Sequence, residues 1–246
     1  MNVSFSAKIL VAGEWRKGMV SPLEIIDLIN TKLKSNFGVL NGNSSTVPWT
    51  GGATGGSLQN QPVFCGGLDN ATWYDTSNIN IIGKPNHGLK MMHPRSLMSS
   101  VVLNKSKLWI TGGIQRRSST NSTEIISLDQ PPVPGPDLPF TVYGHSMVLV
   151  DSTTIYLIGG CQNGQESSKT WIIDPTNNFQ IKVGPSLNIS RMEHSCSKMK
   201  IEGRIFLAVA GGVKFGSVAS LDSVELLDTA FPEQGWKMGM NYDDIF

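Results

Sequence analysis

Charge is scarce in this chain: Asp, Glu, Lys and Arg make up 16% of its 246 residues, against roughly a quarter in an average soluble protein. What charge there is nearly cancels, at +1, so neither nucleic acid nor an anionic membrane is expected as a partner. No run of about 18 apolar residues occurs, which excludes membrane insertion by a helix. The opening Met1–Gly13 has no charged segment followed by an apolar stretch, so it does not read as a leader peptide and reads instead as the middle of a repeat unit. There are only three cysteines, Cys65, Cys161 and Cys196, and they lie in or beside apolar runs rather than at framework spacings. They are expected to be small buried hydrophobes, with Cys161 the most exposed.

Glycine, in contrast, is plentiful at 26 residues, and it is placed with a period. Gly66-Gly67, Gly112-Gly113, Gly159-Gly160 and Gly211-Gly212 each close a short apolar run, and Ala12-Gly13 is a degenerate fifth copy. The steps between copies are 54, 46, 47 and 52 residues, so one supersecondary unit of about 50 residues is repeated. Within a unit, two apolar runs flank a small polar cluster such as Asp151-Ser152-Thr153, the signature of a hairpin. The runs are too continuous for a sheet with one wet face, so the strands are expected to be covered on both sides. A doublet ending such a strand suits close backbone approach and a positive φ.

After each doublet come a polar loop and a third strand: Leu23–Asp27, Ala71–Asp75, Thr123–Ser127, Lys169–Asp174 and Ser223–Asp228. A weaker fourth follows, as in Phe179–Val183 and Gly235–Met238. Four antiparallel strands per unit make a propeller blade. The order of elements, a lead-in with Arg or an aromatic, a first strand, a second ending in Gly-Gly, and a third with an acidic or aromatic residue, resembles the kelch repeat. The fold expected is all-β, a single kelch-like propeller domain over 1–246, with five repeats at roughly 1–50, 51–94, 95–140, 141–190 and 191–246. That is either a five-bladed ring or part of a six-bladed one. Closing a ring would bring the segments around 3–11 and 236–240 together.

Motifs for catalysis are few. His145 and His194 occupy equivalent positions in successive repeats, where the preceding repeat has Met98, so a packing or hydrogen-bonding role is expected of both. No His or Cys pair has metal-ligand spacing, and no metal or cofactor is expected. There is no nucleophile elbow. Gly52–Ser57 lacks the Lys-Ser/Thr ending of a phosphate loop and reads as a flexible turn. Among kelch-like propellers the copper oxidases are enzymes, but their tyrosine, histidine and crosslinked cysteine ligands find no match here.

The loops after the doublets and between units should emerge on one face. Arg95, Arg116, Arg117, Tyr143, Arg191 and Phe215 are the expected binding residues there, since Arg and aromatic side chains dominate binding hot spots. The resemblance implies a non-enzymatic module that binds a partner protein or peptide. The alternative is a propeller enzyme, copper oxidase-like or a lyase or isomerase, with its site at the central channel. Six Asn-x-Ser/Thr sequons occur, about twice the chance number. Of these Asn70, Asn104, Asn121 and Asn188 fall in expected loops, which favours a secreted glycoprotein over a cytoplasmic protein.

Overall fold

The computed structural model describes residues 8–11, 15–16, 19–20, 24–27, 32–34, 50–69, 75–81, 88–201, 203–214 and 220–239. Apart from one short 3-10 turn at Pro232–Gln234, every element described is a strand. Among the described residues five main sheets follow one another along the chain, besides four small ones in the loops, and all pairing within them is antiparallel. The first runs Lys8–Val11, Glu24–Asp27, Lys32–Lys34 and the second Thr54–Leu58, Gln61–Cys65, Ile79–Ile81. The last three have four strands each. The third is Ser99–Leu103, Lys107–Thr111, Thr123–Ile126 and Val133–Pro134. The fourth is Ser146–Asp151, Thr154–Ile158, Thr170–Asp174 and Gln180–Val183. The fifth is Ser195–Ile201, Arg204–Ala210, Val224–Asp228 and Lys237–Met238. The first strands of sheets two to five neighbour one another in turn, as innermost strands of successive blades do. Lys8–Val11 pairs with Glu24–Asp27 and Lys237–Met238 with Val224–Asp228, so both end segments are used within their own sheets.

The continuous apolar runs are explained by packing on both faces. In Lys107–Thr111, Leu108 and Ile110 pack with Leu58, Val63 and Cys65 of the second sheet, while Trp109 packs with Met147, Ile155 and Leu157 of the fourth. In Thr154–Ile158, Ile155 and Leu157 face back, while Tyr156 and Ile158 pack with Leu207, Val209 and Leu227 of the fifth. Alternate residues thus bury against different neighbours, and no position is left for a polar stripe.

The doublets stitch the sheets together. Gly67, Gly113 and Gly160 donate their N–H to the carbonyls of Arg95, Val142 and Arg191, at 2.9, 2.7 and 2.9 Å. Each acceptor lies in the lead-in of the next sheet. The eight doublet glycines have φ between +58° and +97°, a region in which a side chain is strained.

Two expectations are corrected in the second repeat. Its third strand is Ile79–Ile81, in register with Val63–Cys65, rather than Ala71–Asp75. Asp75 serves a different purpose, accepting bonds from the Ser96 hydroxyl and the Arg116 N–H at 2.7 and 3.1 Å. Gly52–Ser57 is not a flexible turn: Thr54–Leu58 is the innermost strand of its sheet. Gly56 lies so near Val102 and Leu108 of the third sheet that a Cβ would touch both. Of the cysteines, Cys161 is 1% exposed rather than the most open, and Cys196 is the half-buried one.

Candidate functional site

A continuous platform forms at the end of the sheets where the doublets lie. Past Gly113 the chain makes a small hairpin, Ile114–Gln115 with Ser118–Ser119, and past Gly160 another, Cys161–Gln162 with Gln165–Glu166. The lead-ins join these hairpins: Val142–Tyr143 pairs with Cys161–Gln162, Ser96 bridges Ile114, and Met192 bridges Val213. Side chains then tie the loops to one another. Ser119 Oγ donates to Thr141 Oγ1 at 3.1 Å, the Thr141 N–H donates to Asn163 Oδ1 at 3.1 Å, and the Asn163 N–H returns to the Thr141 carbonyl at 2.9 Å. Gly144 N–H reaches the Leu97 carbonyl and Glu193 N–H the Gly144 carbonyl, at 2.8 and 2.7 Å. Loops from four consecutive sheets are therefore held in one arrangement.

Of the residues expected on this face, Arg116 and Arg117 are exposed at the tip of the first hairpin. Tyr143 is half-buried, and its contact with the Cys161 thiol, ahead of burial, pushes its pKa up to about 12. Phe215 lies outside the described residues. Arg95 and Arg191 are corrected outright: both are 0% exposed. Arg95 Nη1 donates to the carbonyls of Gly112 and Ser122 at 3.1 and 2.9 Å, and Nη2 meets Glu124 at 2.7 Å. Glu124 also accepts the N–H groups of Met92 and His93, at 2.7 and 3.1 Å. Arg191 repeats the pattern with Gly211, Ser223 and Glu225, and Glu225 accepts the N–H groups of Asn188 and Ile189 at 2.7 and 3.1 Å. These are internal clamps that fix each lead-in to the third strand of its own sheet. Burial lowers the Arg95 pKa, and Glu124 opposes that shift.

The fourth sheet solves the same problem without ions. Val142 stands in the position of the arginine and Trp171 in that of the glutamate. Gln162 Nε2 takes over the bond to the doublet carbonyl, Gly159, at 2.9 Å, and its Oε1 accepts the Trp171 indole N–H at 3.1 Å. Phe140 stacks on Trp171 at 4.7 Å between centroids. Pro139, where the other sheets have Met92 and Asn188, has no N–H to satisfy.

The histidines are packing residues over the doublets. A Cβ on Gly112 would lie 3.3 Å from His145 Cε1, and one on Gly159 would lie 2.8 Å from His194 Cε1. His145 Nε2 also meets Thr111 Oγ1 at 2.8 Å. Burial, then His194, depresses the His145 pKa to about 3, and burial, then Arg191, depresses that of His194 to about 4. The unfolded chain takes up these protons near pH 6.5, so below that pH it binds more protons than the folded protein and stability falls as pH falls. Between pH 7.5 and 5.5 each histidine adds up to about 1.4 kcal/mol per pH unit to this slope. His145→Met, the residue used at the equivalent Met98, is expected to flatten the slope in urea unfolding. An unchanged slope would show that His145 is not held neutral.

The sequons divide by structure. Asn104 is exposed, at φ +42° in a hairpin turn at the opposite end of the sheets. Asn121 and Asn188 are corrected as open acceptors. Asn121 Nδ2 donates to the Leu138 carbonyl at 2.9 Å, and Asn188 Nδ2 donates to Glu225 and the Trp236 carbonyl at 2.9 and 2.8 Å. A glycan would have to displace these internal bonds. Asn70 lies outside the described residues. A cavity of about 330 Å³ between the second and third sheets is lined by Gln59, Ile81, Leu89, Leu128, Asp129, Gln130 and Pro131, and includes neither histidine. Among the described residues no group of three His, Cys, Asp or Glu is gathered as a metal site.

Four-stranded antiparallel sheets, stitched doublet to lead-in around innermost first strands, define a β-propeller. The Kelch motif matches residues 143–178, essentially the fourth sheet from lead-in to third strand. The fold is a β-propeller of kelch-like blades, one of which matches the Kelch motif itself. Among solved structures it is similar to YjhT, with a TM-score of 0.57 and 16% identity over 80% of this chain and 66% of that one. The match thus spans just under two thirds of YjhT, and at that identity the likeness is one of fold. No curated protein matches the chain in sequence.

Proposed function

We propose that the protein is a non-enzymatic binding module that takes a partner protein or peptide on the loop platform at the doublet end. The observation that carries this reading is the bonding of Ser119, Thr141 and Asn163 across three loops, which pre-orders a surface before any partner arrives and so lowers the entropic cost of binding. Exposed or half-exposed Gln115, Arg116, Arg117 and Tyr143 populate it. Kelch repeats serve protein interactions in general, which favours the same conclusion, although a propeller hosts many functions. The enzyme alternative draws support from strongly shifted titratable groups. Here burial against glycine backbone lowers the pKa of the two histidines, and burial raises that of Cys65.

Site-specific photo-crosslinking tests the proposal. A crosslinking residue at Gln115 or Gln165, on the platform, is expected to capture one defined polypeptide. The same group at Lys105 or Asn178, in turns at the opposite end, is expected not to. Capture at the opposite end alone, or none at the platform, would overturn the reading.

A further inference from the structure

The Arg116-Arg117 turn contradicts the turn chemistry of its own chain. Both residues have left-handed backbone, φ +50° and +67°. Four other turns place consecutive residues in that region: Gln59-Asn60, Asn104-Lys105, Asn163-Gly164 and Asn178-Phe179. Each contains Asn or Gly, the residues that tolerate left-handed backbone best. Asn163-Gly164 is the corresponding hairpin tip of the next sheet. Only Arg116-Arg117 among these turns has neither, so it retains two strained arginines where a relaxed pair is used one blade away.

The side chains find no compensation among the described residues. Both are exposed, and among the described residues neither guanidinium makes a hydrogen bond or an ion pair. The turn is nevertheless held in place, because Asp75 accepts the Arg116 N–H at 3.1 Å and the Ser96 hydroxyl at 2.7 Å. Both Asp75 oxygens are engaged with those donors, and among the described residues no carboxylate forms an ion pair with either guanidinium. Adjacent guanidiniums on a held turn suit carboxylates, each of which a planar fork can bind through two parallel N–H donors.

Resting on the binding-module reading above, we infer that Arg116 and Arg117 form a carboxylate-recognition site for an acidic segment of the partner, and that the strained turn is the consequence of that role. Nucleic acid is disfavoured because two arginines are a local cationic point in a chain of net charge +1, not a tracking stripe.

Fluorescein-labelled hexaglutamate is the probe, read by anisotropy with the whole chain. The wild-type protein is expected to bind it, with affinity falling at high salt. The double variant Arg116→Asn/Arg117→Gly, which copies the next blade, is expected to bind at least about tenfold more weakly and to melt a few degrees higher. Arg116→Lys/Arg117→Lys is expected to fall between, because charge survives and the bidentate geometry does not. Equal binding by the Asn/Gly variant, no rise in its melting temperature, or equally tight wild-type binding of an oligothymidylate of the same charge would overturn the inference. Platform crosslinks that persist while the Asn/Gly variant still binds hexaglutamate would refute the arginine site alone. Crosslinks absent from the platform would refute the binding-module reading itself.

Discussion

Valine in place of Gly112 is expected to destabilise the protein by about 2–6 kcal/mol, combining roughly 1–3 for a branched residue in left-handed backbone with roughly 1–3 for overpacking. Gly112 has φ +58°, and a Cβ there would overlap the Val142 carbonyl oxygen and come within 2.9 Å of Val142 Cγ1. That carbonyl accepts the Gly113 N–H at 2.7 Å, so the intruding methyl would part the third sheet from the lead-in of the fourth. A fall in melting temperature on the order of 10 °C follows for a chain of this size. Gly211→Val is the internal control. Gly211 has a similar φ of +66°, but the nearest atom to a Cβ is the Leu221 carbonyl oxygen at 3.7 Å, because no later lead-in covers it among the described residues. Backbone strain alone then remains, about 1–3 kcal/mol. Equal losses at the two sites would mean that the first glycine of a doublet is needed for its φ and not for the sheet-to-sheet stitch. A loss at Gly112 too small to move the melting temperature by more than a degree or two would refute the stitch altogether.

The doublets were legible in the sequence because their requirement is local and repeated: positive φ and a neighbouring backbone at van der Waals distance admit one residue type, and the demand recurs every blade. The continuous apolar runs were legible for a related reason, since both faces of each inner strand are buried. The second repeat was harder to read. Ala71–Asp75 has the composition of a strand, yet the pairing partner of Val63–Cys65 is Ile79–Ile81, and only the register distinguishes them. Arg95 and Arg191 were misplaced because a lead-in arginine looks the same whether it reaches outward or inward. Their glutamate partners are 29 and 34 residues away. A signal for the pairing was nevertheless present. The third and fifth repeats carry both Arg and Glu, whereas the fourth carries Val142 and Trp171 together with Pro139. Residues that appear and disappear as a set across repeats of one chain are in contact. The exposed pair Arg116-Arg117 was legible as a loop feature, but its strain depends on φ, which composition does not report.

Cutting one arm of the Arg95–Glu124 clamp is expected to cost about 3–5 kcal/mol, because a buried charge loses its counterion. The pair is 0% and 1% exposed at 2.7 Å. In Arg95→Met the Glu124 carboxylate keeps the N–H groups of Met92 and His93 and the His93 ring at 3.6 Å, and the carbonyls of Gly112 and Ser122 lose their donor. In Glu124→Gln the guanidinium keeps those two carbonyls but loses its ion-pair partner, with only the more distant Asp137 left to oppose its charge, while the amide presents one acceptor oxygen to the two backbone N–H groups. The double variant removes both ions and leaves no buried charge, so its loss should fall short of the sum of the single losses by at least about 1–2 kcal/mol. The fourth sheet is the natural precedent, for there an apolar Val142 and Trp171 pair is accommodated with Gln162 on the doublet carbonyl. Urea unfolding of the four proteins gives the coupling energy directly. Additive losses would mean that Arg95 and Glu124 act on the lead-in separately, Arg95 through the doublet carbonyl and Glu124 through the Met92–His93 turn. The ion pair would then be an accident of two independent caps. A large coupling would instead make the clamp one unit, and would explain why the chain keeps both members in the third and fifth blades and neither in the fourth.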